Sequence, residues 1–269
     1  MFKEIFTTDK KIIIGAIHLP PMPGYADFPG MVIALENALL DLAAYEEGGS
    51  TATIFENNYD VPHTEFVTPE IATALTTLGK KIAEHAQKPL GISVLWNDYK
   101  TALTTANNIP LQFVRIPVFV DKVKTSYGII EGHADAITKY RRKLGTARIA
   151  LFTDIHVKHA ELVSPYSLAE SAKKAIDHGS DALIITGSWT GDPPDVKTII
   201  GLRKTVGDFP IIIGSGLDKK NARELLSIAN GAIVATSLKE GTIDSSETNL
   251  TKYAQRISRD KVLCLVQAL

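Results

Sequence analysis

The chain of 269 residues has a single cysteine, Cys264. One thiol excludes an intramolecular disulfide framework and a Cys-rich zinc site, and it suits a reducing compartment. An excess of one charge is also lacking. There are 29 Lys and Arg against 30 Asp and Glu, a net charge of −1, so no global positive field draws the chain to nucleic acid or to an anionic membrane. Long apolar runs are missing: they reach about 4–7 residues, against the roughly 20 of a membrane-spanning helix. The start, MFKEIFTTDKK, is charged where a secretory signal has its apolar core. The expectation is a cytoplasmic protein with no transmembrane segment and no nucleic-acid partner. Low-complexity stretches and long hydrophilic linkers are lacking too. With 45% hydrophobic and 22% charged residues, the composition supports one substantial core.

What is present is alternation. KIIIGAIH (11–18) is a β-rich run closed by PPMPG. MVIALENALLDLAAYEEGG (31–49) has helical apolar spacing and a glycine stop. TATIFEN (51–57) reads as a strand and PEIATALTTLGKKIAEHA (69–86) as a helix opened by Pro69. PLGISVLWN (89–97), DYKTALTTA (98–106) and FVRIP (113–117) continue as strand, helix, strand. In the second half, 128–145 reads as a helix, 147–159 as the longest strand and 167–179 as a helix. DALIITG, a proline-opened helix at 193–206, PIIIGSG, LDKKNARELLSIA, GAIVATS and a last helix, SETNLTKYAQRISRD, complete the series. Eight strand–helix pairs in about 260 residues predict an α/β fold, a (β/α)8 TIM barrel with 1–269 as one domain. A doubly wound open sheet is the alternative, although it uses fewer units per domain.

In a barrel one strand face meets the helices and the other fills the interior, with functional groups at the C-terminal mouth. In TDIHVKHA (153–160) this places Asp154, His156 and Lys158 inward, with Ile155 and Val157 toward the helices. Other strand ends carry His18; Glu56, Asn57 and, shortly after, Asp60; Asn97 and Asp98; Arg115; and Thr186. Strand starts are bland, so the polar groups gather at one end. Loops after the seventh and eighth strands of barrels often hold phosphate on backbone N–H groups. Gly214, Ser215 and Gly216, with a helix opening at Leu217–Asp218, and Thr236 and Ser237 fit that pattern.

Asp154 and His156 suit acid–base work, because imidazole titrates near neutrality and a carboxylate can orient it. Glu56 or Asp60 would supply a second carboxylate for glycosidic or phosphate-ester chemistry. Lys158 reads as an anion-binding cation, a Schiff-base amine or a rim charge. His18, Asn57, Asn97, Asp98, Arg115 and Thr186 would contact a small anionic substrate. A divalent metal on His18, Glu56, Asp154 and His156 stays open, without a supporting HxH or HExxH spacing; no cofactor is named by the sequence. His63, His85, His133 and His178 fall in loops or helices and read as surface residues. KYRRK (139–143) reads as a solvated helix face. Self-association is left open.

The stretches IGAIHLPPMPG, FENNYD, PLGISVLWND, GIIEGHADAITKYRRKLG, TDIHVKHA, ITGSWTG, GSGLDKKNARELL and NGAIVATSLKEG resemble the BtpA/SgcQ family along nearly the whole chain. The resemblance implies a barrel like the ribulose-phosphate-binding ones, in support of an anion site at 214–216 and 235–237. It further implies either an enzyme acting on a phosphorylated sugar or nucleotide-like molecule, with glycosidic (nucleosidase-like) hydrolysis ahead of isomerisation, or a non-catalytic factor in membrane-protein or photosystem biogenesis. The sequence departs from the family pattern in three places. Ile116–Pro117 stand where an aliphatic residue and Asn are usual. Thr125–Ser126–Tyr127–Gly128 stand for Thr-Asp-x-Gly, and Ala235 stands for Gly. An amide and a carboxylate are thereby missing near the expected mouth, which puts activity in question.

Overall fold

Alternation along each apolar run sorts its side chains onto two faces, and the fold uses both. The computed structural model describes residues 1–8, 10–241 and 253–269. Its strands are β1 (Ile12–His18), β2 (Ala52–Glu56), β3 (Leu90–Ser93), β4 (Phe113–Ile116), β5 (Lys122–Thr125), β6 (Gly128–Glu131), β7 (Ala150–Ile155), β8 (Ala160–Leu162), β9 (Ala182–Ile185), β10 (Ile211–Ile213) and β11 (Gly231–Val234). Its helices are α1 (Phe2–Ile5), α2 (Met31–Glu47), α3 (Pro69–His85), α4 (Tyr99–Asn108), α5 (Ala134–Lys143), α6 (Leu168–Asp177), α7 (Val196–Val206), α8 (Ala222–Ile228) and α9 (Arg259–Gln267). Eight parallel strands close in the order β1, β2, β3, β4, β7, β9, β10, β11. This is the (β/α)8 barrel that the alternation predicts.

Ile13, Ile17, Phe55, Val114, Leu151 and Ile155 pack outward against the helices in one large buried cluster. Ile12, Ile14, Ala16, Ala52, Ile54, Phe113, Ala150, Phe152, Ala182, Ile184, Ile212 and Ile233 fill the interior. Phe6 belongs to the interior cluster, and α1 packs against it. The Phe6 ring lies 6.4 Å from that of Phe113 and 6.3 Å from that of Phe152, and those two rings stack at 4.7 Å. The residues preceding β1 therefore plug the N-terminal end of the barrel, leaving the C-terminal end as the opening. Gly15 permits a close approach: a Cβ there would lie 2.3 Å from the Tyr45 ring. The Tyr45 hydroxyl donates to the carbonyls of Ala16 and Val234 at 3.0 and 3.1 Å, tying α2 across the β1–β11 seam.

The structure corrects the sequence reading at several elements. Residues 128–145 are not one helix. Gly128–Glu131 is a strand, with Ile130 buried and Ile129 exposed in period two, and α5 begins only at Ala134. Gly132 ends the strand where a Cβ would meet the Phe119 carbonyl oxygen at 2.5 Å. β5 and β6 form a hairpin, and β8 adds to it as an antiparallel sheet of order β6, β5, β8. This sheet is an insertion that the barrel pattern hides. Nor does 147–159 run as one strand: β7 stops at Ile155, because His156 and His159 take left-handed φ values of 50° and 59°. β1, with seven residues, is the longest strand. The helix expected to open at Leu217–Asp218 begins at Ala222. Of the last expected helix, 246–252 lies outside the described residues, and the final helix is α9, set later by the Ser258 side chain accepting from the Lys261 N–H. Among the described residues no helix is long and apolar enough to cross a membrane.

The plug makes a direct prediction. Phe6→Ala removes a buried ring that touches the barrel floor and should lower unfolding free energy by about 3–5 kcal/mol. Urea denaturation followed by circular dichroism measures it; a loss below about 1 kcal/mol would mean that the floor does not depend on this segment.

Candidate active site

Parallel register decides which inward residues become neighbours. His18 pairs with Glu56, Glu56 with Ser93, and Ser93 with Arg115. Four adjacent strands thus place four polar residues at one level, above the apolar fill. His18 Nε2 lies 3.1 Å from Glu56 Oε1, and Arg115 Nη1 lies 3.4 Å from Glu56 Oε2. Arg115 also grips Asp154 with both arms, Nε to Oδ1 and Nη2 to Oδ2, each at 2.9 Å. Glu56, Arg115 and Asp154 are all buried. A fork-to-fork pair of this geometry is the strong form of charge-assisted hydrogen bond.

Burial pushes the Glu56 carboxyl up, but the hydrogen bond from His18 and the charges of Arg115 and Lys158 outweigh it and hold it at about 2. Burial pushes Asp154 upward against the pull of Arg115. Burial works against the Arg115 charge, yet Asp154 and Glu56 together raise its pKa. Burial lowers the His18 imidazole despite Glu56, which favours its neutral form. The tautomer that donates from Nε2 to Glu56 leaves Nδ1 as a base.

Above this row a cavity of about 500 Å³ opens, lined on one side by His18, Glu56, Arg115 and Lys158. On another side it is lined by Gly214, Ser215, Gly216, Ala235, Thr236 and Ser237. Among the described residues, the N–H groups of Gly216, Leu217, Thr236 and Ser237 donate no hydrogen bond. The Ser215 hydroxyl accepts from the Gly187 N–H and donates to the Asp192 carbonyl, and that of Ser237 donates to the Leu217 carbonyl. Those hydroxyls are therefore spent on the loops themselves. Gly216 is required there: its φ is +68°, and a Cβ would lie 2.1 Å from Pro193 N. A third wall is aromatic, made of Trp96, Tyr127, His63, His159 and Trp189.

The remaining sequence candidates sit elsewhere. Asn57 Nδ2 donates to Asp60 Oδ2 at 2.9 Å, and its Oδ1 accepts from the Leu95 N–H at 2.7 Å. Asp60 Oδ1 accepts from the Met22 N–H, and burial raises its carboxyl to about 6. Asn97 exchanges two 2.9 Å bonds with the backbone of Val118. Asp98 caps α4 through the Thr101 N–H and also accepts from the Val67 N–H. Thr186 accepts from the Lys158 N–H. These five tie loops together and do not line the cavity. The left-handed turn takes His156 out of the row: its N–H is held by Asp121 Oδ2, and its side chain faces the neighbouring groove that Thr186 also lines.

Sequence reasoning missed His63, which it placed on the surface, and also His159 and the two tryptophans, Trp96 and Trp189. His159 sits within the quoted motif, but only the backbone reversal at His156 reveals where it points. His85 and His133 are exposed and His178 is half-buried. Among the described residues no group of three or more His, Cys, Asp or Glu is arranged to hold a metal ion. His18 and Glu56 are the pair that could share one, and Arg115 stands between Glu56 and Asp154.

The BtpA family model matches residues 9–260. The chain belongs to the BtpA family. It is 35% identical over 252 residues to an uncharacterized protein of Pyrococcus abyssi, covering 93% of this chain and 95% of that one. It is 34% identical to the photosystem I biogenesis protein BtpA of Synechocystis, covering 84% and 80%. Among solved structures it resembles phosphoribosyl anthranilate isomerase from Thermus thermophilus, with a TM-score of 0.56 and 15% identity over 96% of this chain and 97% of that one. That likeness concerns the barrel alone. The positions at which the sequence departs from the pattern expected on the resemblance, Pro117, Ser126 and Ala235, all line the cavity, and so does Tyr127.

Two outcomes test these electrostatics. Arg115→Met strands two buried carboxylates and should cost about 3–5 kcal/mol, most of it recovered in Arg115→Met/Asp154→Leu; urea denaturation of the single and double variants reads it. Lys158 has its pKa lowered to about 8, mainly by burial and then by Arg115, below the ordinary 10.5. Between about pH 8 and 10.5 the folded state binds fewer protons than the unfolded one, so stability rises with pH through that window. Lys158→Met should therefore stabilise the protein at pH 7 by about 1–3 kcal/mol, with the advantage shrinking toward pH 10.5. Lys239, also lowered to about 8 by burial, leaves part of the slope in the variant. Equal stability of variant and wild type at pH 7 would refute the strained-cation picture.

Proposed function

We propose that this protein is an enzyme that uses acid–base catalysis on a small phosphorylated sugar or nucleotide-like molecule bound in the barrel mouth. One observation carries the reading: His18, Glu56 and Arg115, the last held from behind by the buried Asp154, and the backbone rim at 214–216 and 235–237 line the same cavity. A phosphate would accept from the rim N–H groups, which a backbone lined with glycine can bring close. His18, kept neutral and oriented by Glu56, would remove or deliver the proton. Arg115 and Asp154 would hold Glu56 in place, and Lys158 would face the reacting carbon or its oxygen.

Proton shuttling, as in isomerisation, suits one imidazole–carboxylate pair. Cleavage of a glycosidic bond by two opposed carboxylates finds Asp154 already taken by Arg115. Its support is the aromatic wall of Trp96, Tyr127 and Trp189, which fits a planar leaving group. The name of the Synechocystis relative favours a different role, a non-catalytic factor in photosystem biogenesis.

Thermal-shift measurements with ribose 5-phosphate and adenosine 5′-monophosphate, against ribose and adenosine, separate these readings. The phosphorylated pair should raise Tm, since a ligand at 100 times its Kd adds about 2.7 kcal/mol, while the unphosphorylated pair should not. Glu56→Gln should keep that binding and lower turnover on a responding substrate roughly 10²–10⁴-fold. Absence of any phosphate-dependent shift would discard the enzyme reading in favour of the non-catalytic one.

A further inference from the structure

Among the described residues of the mouth, Lys158 is the cation whose charge no hydrogen bond or ion pair answers. Glu56 and Asp154 are both close enough to act on it electrostatically, yet their oxygens are already engaged. Arg115 holds both oxygens of Asp154 and reaches Oε2 of Glu56, while His18 holds Oε1. Among the described residues the Lys158 amine makes neither a hydrogen bond nor an ion pair. Lys239 is the contrast: its amine donates to the Tyr59 hydroxyl at 3.1 Å and lies over that ring.

The Lys158 backbone is fixed. Its N–H is held by Thr186, the His156 N–H by Asp121, and left-handed residues stand two before and one after it. The side chain lines the cavity beside Leu95, Trp96 and Val157, with His18 and Glu56 lining the same space. An amine on a fixed backbone, with no hydrogen bond or ion pair of its own, in a partly apolar pocket that His18 and Glu56 also line, is an arrangement that suits an amine nucleophile. The depressed basicity described above acts in the same direction.

We propose that Lys158 forms a Schiff base with the carbonyl of an open-chain aldose or ketose phosphate. This rests on the mouth being the substrate site and names the chemistry performed there. The Nζ lone pair forms a bond to the carbonyl carbon. The oxygen takes one proton from the amine and a second, relayed from solvent, through the His18–Glu56 pair. It then leaves as water, giving a protonated imine. The imine withdraws electrons, so that a C–H or C–C bond next to the former carbonyl can break. His18 Nδ1 accepts the proton released when the bond is C–H. No oxidant or reductant is involved.

The test is reductive trapping. The full chain is incubated with ribose 5-phosphate or dihydroxyacetone phosphate, treated with sodium borohydride and examined by intact-mass and peptide-mapping mass spectrometry. The expected result is one adduct per chain, at Lys158, at least tenfold above any exposed lysine such as Lys80. Lys158→Arg should lose the adduct while keeping the phosphate-dependent rise in Tm, because it preserves the positive charge. Labelling of Lys158 no stronger than that of Lys80, with the Tm shift intact, would overturn the Schiff base and leave the binding site standing. Loss of both the adduct and the shift in the wild-type protein would overturn the site and the Schiff base together. Persistence of the major adduct in Lys158→Arg would assign the chemistry to another amine.

Discussion

The mouth is organised around Arg115, a guanidinium shared by two buried carboxylates. Without it, Glu56 and Asp154 would be like charges confined to one small space, and burial would drive one of them to take up a proton. With it, both of Asp154's oxygens and one of Glu56's have a donor, and the other Glu56 oxygen is free to orient His18. The same arrangement deprives Lys158 of a partner. One side chain on β4 thus helps His18 to hold Glu56 ionised, leaves a Glu56 oxygen to orient His18 and keeps both carboxylates from pairing with the Lys158 amine.

That arrangement follows from parallel pairing. An inward residue on one strand meets the inward residue at the same level on the next, so the period-two pattern that fills the interior with Ile, Ala and Phe also lines up His18, Glu56, Ser93 and Arg115. His18, Glu56 and Arg115 were legible in the sequence because they obey the alternation of their own strands, whereas on β3 the reading picked Asn97 and Asp98 and passed over Ser93. The barrel was legible for the same reason, repeated eight times.

Where reading failed, the backbone had left that pattern. The His156 φ of 50° interrupts the inward row that TDIHVKHA suggests. A non-glycine residue in this region costs roughly 1–2 kcal/mol, and Asp121, accepting from the His156 N–H, helps to hold it. No periodicity encodes such a turn. The inserted hairpin was misread because Gly128–Glu131 adjoins a real helix, and apolar residues at 129 and 130 satisfy either period over so short a span. Asn57, Asp60, Asn97 and Asp98 illustrate a different limit. A polar residue at a strand end also serves the unpaired backbone groups of the loop that follows, and residue type alone does not tell that duty from contact with a ligand.

The departures from the family pattern take on a sharper meaning once placed. Pro117, Ser126 and Ala235 line the cavity together with Tyr127, as do His18, Glu56 and Arg115, whereas Asp154, bound to Arg115, does not reach it. Tyr127 sits at the tip of the β5–β6 hairpin, where the Thr125 hydroxyl accepts from its N–H and donates to the Gly128 carbonyl, so its ring is presented by a turn that does not depend on the charged row. Its edge meets the His63 ring at 5.5 Å. On the proposed function, having a proline and a serine hydroxyl where the resemblance leads one to expect an amide and a carboxylate changes what the mouth accepts without removing the groups that move protons.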